Sequence, residues 1–215
     1  MSSIKLYHFK GSAPSRGAYM AAKAAGVQFE VKVVDLFKKE QLKESFLKKN
    51  LQHCVPTLED DGFVLWESRA IASYLVDKYA KDDKFYPKDL QRRAVVNQRL
   101  YFDCATFYPR IRAICYPILW LGETEIKESL KKELNISFGH LDQFLGETKW
   151  AAGDHPTIAD TSLFASVSSI LEVGWDISSY PNVQRWVEQC ASLPGADENS
   201  EGAKMFGAAV RKNLK

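Results

Sequence analysis

The four cysteines, at positions 54, 104, 115 and 190, form neither a CxxC pair nor a zinc-type spacing. Dithiol redox chemistry and a structural zinc centre are therefore not expected, and free thiols in a reducing compartment fit the pattern. No sign of charge dominates either: 29 Lys and Arg face 27 Asp and Glu, a formal net charge of +2. That balance is too even for a surface whose affinity comes from neutralising phosphates, so nucleic-acid binding is not expected. No window is apolar for long enough to cross a membrane, and the opening MSSIKLYHF has no basic stretch followed by an apolar run. A soluble, cytoplasmic protein is expected. No GxGxxG follows a strand pattern, which removes the main signal for a dinucleotide site. Internal repeats and low-complexity segments are also lacking.

What is present is material for a core. Of the 215 residues, 46% are hydrophobic and 26% charged, enough for one large or two modest domains. Residues 4–9 read as a buried strand. Gly11-Ser12-Ala13-Pro14-Ser15 supplies a turn and a proline suited to a first helical turn, and an Ala-rich helix over 16–25 closes at Gly26. Residues 29–36 predict a second strand and 40–48 a short polar helix. Asp61-Gly62 between apolar runs predicts a tight hairpin over 57–65. Glu67-Ser68 then opens a helix to about residue 79. This order fits a mixed four-stranded sheet covered by helices, with one crossover and one antiparallel hairpin.

Residues 81–88 are charged and end in a proline turn, so they read as the linker, with Phe85 and Tyr86 packed against a domain. Beyond them the periodicity is helical. Pro109 and Pro117 break or bend the stretch 90–121, residues 125–145 form an amphipathic helix, and a Thr157-capped helix carries the apolar run 163–173. In that cap Asp160 reaches back to the Thr157 amide. Tyr180-Pro181 starts another helix, and 200–212 forms the last, with Phe206 facing a cleft.

The candidates for chemistry are Ser12 beside a helix start, His53 in a loop and the Glu67-Ser68 pair at another helix start. All lie where strand ends give way to helices, the usual place for ligands in open sheets. Each has a structural alternative: an N-cap for Ser12, a loop brace for His53, and helix capping or surface solvation for Glu67. Val55, held extended by Pro56, has a backbone free to pair with an extended peptide. Tyr108, Ile111, Tyr116, Trp120 and Phe206 form an aromatic, mostly apolar set, with Leu36 and Phe37 at the junction. Ordinary helix core is the alternative for any one of them.

The segments Gly11-Ser12-Ala13-Pro14-Ser15-Arg16, Gln52-His53-Cys54-Val55-Pro56-Thr57-Leu58 and Trp66-Glu67-Ser68-Arg69-Ala70-Ile71 resemble the glutathione transferases, especially the insect delta class, with the epsilon class nearest to it. Arg99-Leu100-Tyr101-Phe102-Asp103 and residues 151–160 extend the resemblance over essentially the whole chain. It implies a thioredoxin-like α/β domain over 1–80 that binds glutathione and an all-α domain over 89–215 that binds the electrophile, assembled as a cytosolic homodimer. Ser12 is expected to activate the glutathione sulfur. His53 is expected at the glycine end of glutathione, Val55 before a cis Pro56 at its cysteinyl portion, and Glu67, Ser68 and Arg69 at its γ-glutamyl end. Leu36, Gln41 and Cys54 complete the expected glutathione set. Leu36, Phe37, Tyr108, Ile111, Tyr116, Trp120 and Phe206 are the expected electrophile set.

The activity implied is conjugation of glutathione, as co-substrate, to hydrophobic electrophiles in detoxification, with no metal and no prosthetic group. Peroxidase or dehydrohalogenase chemistry on the same sulfur, or binding without turnover, are the alternatives. The chain departs from the family pattern at Gln41, where many relatives have a histidine. It departs again at Leu51 in place of a proline, at Cys54 in place of a threonine and at Ser15 in place of a cysteine.

Overall fold

The computed structural model describes residues 4–215, beginning with β1, Ile4–His8, in which Ile4, Leu6 and His8 are buried and alternate with half-buried Lys5 and Tyr7. The next helix, α1, spans Ala13–Ala24 and begins at 13, ahead of the expected 16. Ser12 caps it: the Ser15 N–H donates to Ser12 Oγ at 3.4 Å, and Pro14 lies in the first turn, where its missing N–H leaves no bond unmade.

Strand β2 is Glu30–Val33, shorter than the expected 29–36, because the Asp35 carboxylate accepts the N–H groups of Phe37 and Lys38, at 3.0 and 3.2 Å, and turns the chain. The expected helix over 40–48 is divided into a 3₁₀ turn, Glu40–Leu42, and the single-turn α2, Glu44–Leu47, by an extended Lys43. Strands β3, Thr57–Asp60, and β4, Phe63–Trp66, form the expected hairpin, with φ of 47° at Asp61 and 89° at Gly62. Helix α3, Ser68–Tyr79, follows.

The four strands lie in the order β2-β1-β3-β4, with β2 parallel to β1 and the other pairs antiparallel. This is a thioredoxin-like sheet, and the rest of the chain is helical. The break expected from the prolines falls between α4, Leu90–Phe102, and α5, Tyr108–Trp120, in a wide turn over Asp103–Phe107 where the Tyr108 N–H reaches back to Asp103 O. Pro109 has no N–H to continue the normal ladder, which accounts for the wider turn just before it. Helices α6, Glu128–Glu147, α7, Ile158–Leu171, α8, Pro181–Cys190, and α9, Ala196–Arg211, complete the bundle.

Helix α7 is buried on every side and is the axis of the helical half. Its start is fixed by the expected cap: Asp160 accepts the Thr157 N–H at 2.8 Å. Helix α1 packs directly on α7, and Gly17 makes the approach possible, since a Cβ there would sit 3.2 Å from Ser162 Cα. One apolar core therefore continues from Leu6 and Ile71 under the sheet to Leu163 and Trp186 in the bundle. In the linker, Tyr86 is buried and the Ile158 N–H donates to Phe85 O at 2.9 Å, so the segment is fastened to the helical half.

Candidate active site

Strand direction alone assembles a rim at one end of the sheet. The parallel strands β1 and β2 finish side by side, with His8 opposite Val33. Strand β3 starts at that end, with Thr57 opposite Tyr7, and β4 finishes there, with Trp66 opposite Thr57. The connections carrying Ser12, residues 36–41, residues 53–56 and residues 67–68 consequently share one edge.

Local backbone then aims the side chains. His53 is exposed and lies at φ 43°, and the Val55-Pro56 bond is cis. Asn50, which sequence reasoning missed, braces this loop from beneath. It is fully buried, and its Nδ2 donates to Cys54 O at 3.1 Å and to Thr57 Oγ1 at 2.9 Å while meeting Cys54 Sγ at 3.4 Å. Burial pushes the Cys54 thiol up, and the nearby Glu67 carboxylate adds to the effect, so Cys54 is not a nucleophile in waiting. Glu67 stands exposed at φ 72° just before α3, while Ser68 is buried. Gln41 lies in the 3₁₀ turn, and its buried Oε1 has no hydrogen-bond partner among the described residues.

A polar chain fastens the rim to the bundle. Arg69 Nη1 donates to Ser68 Oγ at 2.9 Å, Arg69 Nη2 pairs with Asp103, and Ser162 Oγ donates to the same Asp103 carboxylate at 2.7 Å. Internal packing therefore occupies Arg69, Phe102 and Asp103. Phe102 stacks edge-on against Phe144, whereas Tyr101 is 70% exposed.

Between rim and bundle lies a cavity of about 170 Å³. Ser12 opens into it beside Phe9, Gly11, Leu36 and Phe37 from the sheet half. Helix α5 supplies the facing wall, and α9 adds Met205 and Phe206. All seven residues of the expected electrophile set line this one cavity. Of the expected glutathione set only Ser12 and Leu36 do so; Gln41, His53, Cys54, Val55, Pro56, Glu67, Ser68 and Arg69 stand outside it, on the rim connections and the first turn of α3.

Four lining residues on α5 repeat at four-residue intervals, Tyr108, Arg112, Tyr116 and Trp120. Arg112, unanticipated from sequence, is exposed and sits 4.5 Å above the Tyr116 ring, and the four-residue spacing was the signal that could have found it. Cys115 also lines the cavity, with burial pushing its thiol up to about 12, and Ser169 reaches it from α7. At the mouth the rings of Phe37 and Trp120 meet at 5.2 Å, joining the sheet half to α5.

A hydroxyl at a helix N-terminus, beside an aromatic pocket, is suited to holding a sulfur anion against an apolar reaction partner. Among the described residues no cluster suited to a metal ion occurs, and no helix is long and apolar enough to cross a membrane.

Comparison with known proteins gives the family. Residues 2–77 match the family described as glutathione S-transferase, N-terminal domain, and residues 106–194 match glutathione S-transferase, C-terminal domain. Glutathione S-transferase D6 of Drosophila melanogaster is 45% identical over 207 residues, covering 94% of this chain and 96% of that protein. The solved structure of glutathione S-transferase unclassified 2 from Bombyx mori shares 68% identity over 99% of both chains with a TM-score of 0.96. A glutathione transferase homologue from Drosophila mojavensis, solved with bound glutathione, shares 38% identity over 100% of this chain and 99% of that one, also with a TM-score of 0.96. Delta-class and epsilon-class insect enzymes both occur among the similar structures. The chain belongs to the glutathione S-transferase family.

Proposed function

We propose that this enzyme binds glutathione along the sheet rim and conjugates its sulfur to hydrophobic electrophiles held in the apolar cavity. The supporting observation is the position of Ser12, which caps α1 and opens into a cavity walled by Tyr108, Tyr116, Trp120 and Phe206. Ser12 Oγ accepts the Ser15 N–H, which leaves its own proton available to a sulfur anion. The N-terminal end of α1 adds positive potential at the same place. Residues 1–80 form the glutathione-binding part in this account and 89–215 the electrophile-binding part.

On the rim, His53 and Gln41 serve the glycine end, the Val55 backbone serves the cysteinyl amide, and Glu67, Ser68 and Arg69 serve the γ-glutamyl end. A homodimer in the cytoplasm belongs to the same proposal, with exposed Tyr101 as an interface residue; a mass in solution that stays monomeric at every concentration would remove the dimer.

Magnitudes show what activation contributes. Lowering a thiol from about 8.5 by an assumed two units stabilises the anion by about 2.7 kcal/mol and raises its fraction at pH 7 from about 3% to about 75%. With a Brønsted slope near 0.45 the less basic sulfur loses about eightfold in intrinsic reactivity, leaving a net gain of about threefold. Orientation of the electrophile against the sulfur must supply more of the rate than deprotonation does.

The test is Ser12→Ala assayed with glutathione and a chlorinated dinitroaromatic electrophile. Loss of one charge-assisted hydrogen bond should lower kcat/KM by roughly 10- to 100-fold with a smaller change in glutathione affinity. A pH–rate profile identical to the wild type would reject the assignment of Ser12.

A further inference from the structure

One turn after Ser12, α1 buries a charge that the proposed mechanism does not use. Arg16 has no solvent exposure, and its four hydrogen bonds go to neutral oxygens. Nε donates to Asn199 Oδ1 at 2.9 Å and Nη1 to Lys10 O at 2.9 Å, while Nη2 donates to Ala165 O at 3.1 Å and to Ser169 Oγ. Among the described residues no carboxylate forms an ion pair with it.

No carboxylate among the described residues contacts it, although the Glu198 charge on α9 lies near enough to favour the charged guanidinium. On α9, Glu198 is engaged by Lys10 at 3.0 Å, and Glu201 pairs with the same lysine at the surface. From β1, His8 contributes no charge at neutral pH, since burial holds its pKa down at about 4. Arg69 on α3 and Asp103 after α4 neutralise one another. Tyr108 on α5 is kept protonated by burial, and α7 contributes only neutral acceptors, the Ala165 carbonyl and the Ser169 hydroxyl. Burial lowers the pKa of Arg16 itself to about 10, still well above neutrality, so the guanidinium remains charged.

A buried cation with no contacting counter-ion carries a solvation cost that an arriving anion reduces. The cavity lies directly beside this one: Ser169, which accepts from Arg16, lines it together with Ser12, and the Arg16 N–H donates to Ser12 O at 3.0 Å.

We propose that Arg16 is a charge-stabilising residue for the reaction, a buried counter-charge whose field, carried through Ser169 and the first turn of α1, holds the glutathione sulfur as the anion at Ser12. The proposal rests on the assignment of the sulfur to Ser12. Arg16 does not touch the sulfur; it acts across a buried interface where a full charge is weakly screened.

Asn199 offers a nearly isosteric test. Asn199→Asp places a carboxylate where Asn199 Oδ1 already accepts from Arg16 Nε, and Ser168 Oγ, which receives the Asn199 Nδ2 proton at 3.0 Å, can donate instead. The readout is the pKa of enzyme-bound glutathione, followed by thiolate ultraviolet absorbance against pH, in wild type, N199D, R16Q, R16K and S12A. N199D and R16Q should raise that pKa by about half to one unit, a three- to tenfold fall in the thiolate-to-thiol ratio, and R16K should stay close to wild type.

An N199D protein that is folded, binds glutathione and titrates like wild type would overturn the proposal, as would R16K shifting as far as R16Q. A raised pKa in S12A alone would leave the serine assignment standing and remove Arg16. A bound thiol in wild type titrating no lower than free glutathione would overturn both.

Discussion

The regions around Asp160 and Arg16 each bury one charge without an opposite charge in contact, and they differ in what surrounds it. Asp160 has no exposure and collects the N–H groups of Ala151, Thr157 and the Trp186 indole, each at 2.8 Å. It joins the loop before α7, the start of α7 and the middle of α8, away from the cavity. Arg16 joins α1 to α7 and α9, and one of its acceptors, Ser169, faces the cavity. Both ions are solvated by protein dipoles in place of water. In one case the result is a fastened fold; in the other it is also a field at the place where an anion must form.

If that contrast is right, Asp160 variants should fail in stability and not in chemistry. Asp160→Ala leaves three buried N–H donors and the Thr157 hydroxyl without their acceptor and should cost about 3–5 kcal/mol, seen as a fall in Tm, while the pH–rate profile of the protein that remains folded is unchanged. A shifted profile would erase the distinction between the two regions.

His8 sharpens the comparison from the Arg16 side. It is 2% exposed, neither ring nitrogen makes a hydrogen bond, and the nearest carboxylate oxygen, Glu198 Oε1, is 3.5 Å from Nε2. Burial lowers its pKa from 6.5 to about 4. Above pH 6.5 the ring is neutral folded or unfolded; between 6.5 and 4 the unfolded chain takes up the proton first, so stability falls with pH, and below about 4 the loss is complete. The expected loss is about 3 kcal/mol, and denaturant melts from pH 7 to 4 should show it in wild type and not in His8→Phe.

The smallest effect should come from the cavity mouth. Phe37 is 56% and Trp120 45% exposed, and removing either ring from the pair by Phe37→Ala or Trp120→Ala should lower kcat/KM for an aromatic electrophile by about two- to tenfold with Tm nearly unchanged. No change in kcat/KM would place the electrophile deeper than this pair.

The rim was more legible in the sequence than the wall. Glycine, proline and Asp-Gly mark turns by local chemistry, so the order of strands and helices, and with it the shared sheet end, followed from residues near one another in the chain. Two of the boundaries that shifted did so through side-chain bonds to backbone: the Ser12 cap lengthened α1, and the Asp35 turn shortened β2. The cavity wall needs elements more than a hundred residues apart, and the resemblance, more than periodicity, selected Tyr108, Tyr116 and Phe206 over ordinary core. Arg112 escaped a search for apolar positions although it shares their helical face. Ser169 and Asn199 carry no local mark at all, since their roles depend on how α7 and α9 meet α1.

The most direct test is a crystal structure with glutathione bound. The sulfur should lie within hydrogen-bonding distance of Ser12 Oγ, with the γ-glutamyl end at Glu67 and Ser68 and the aromatic cavity left open beside it. A tripeptide lying in the cavity itself, or anywhere that leaves its sulfur remote from Ser12, would contradict the account.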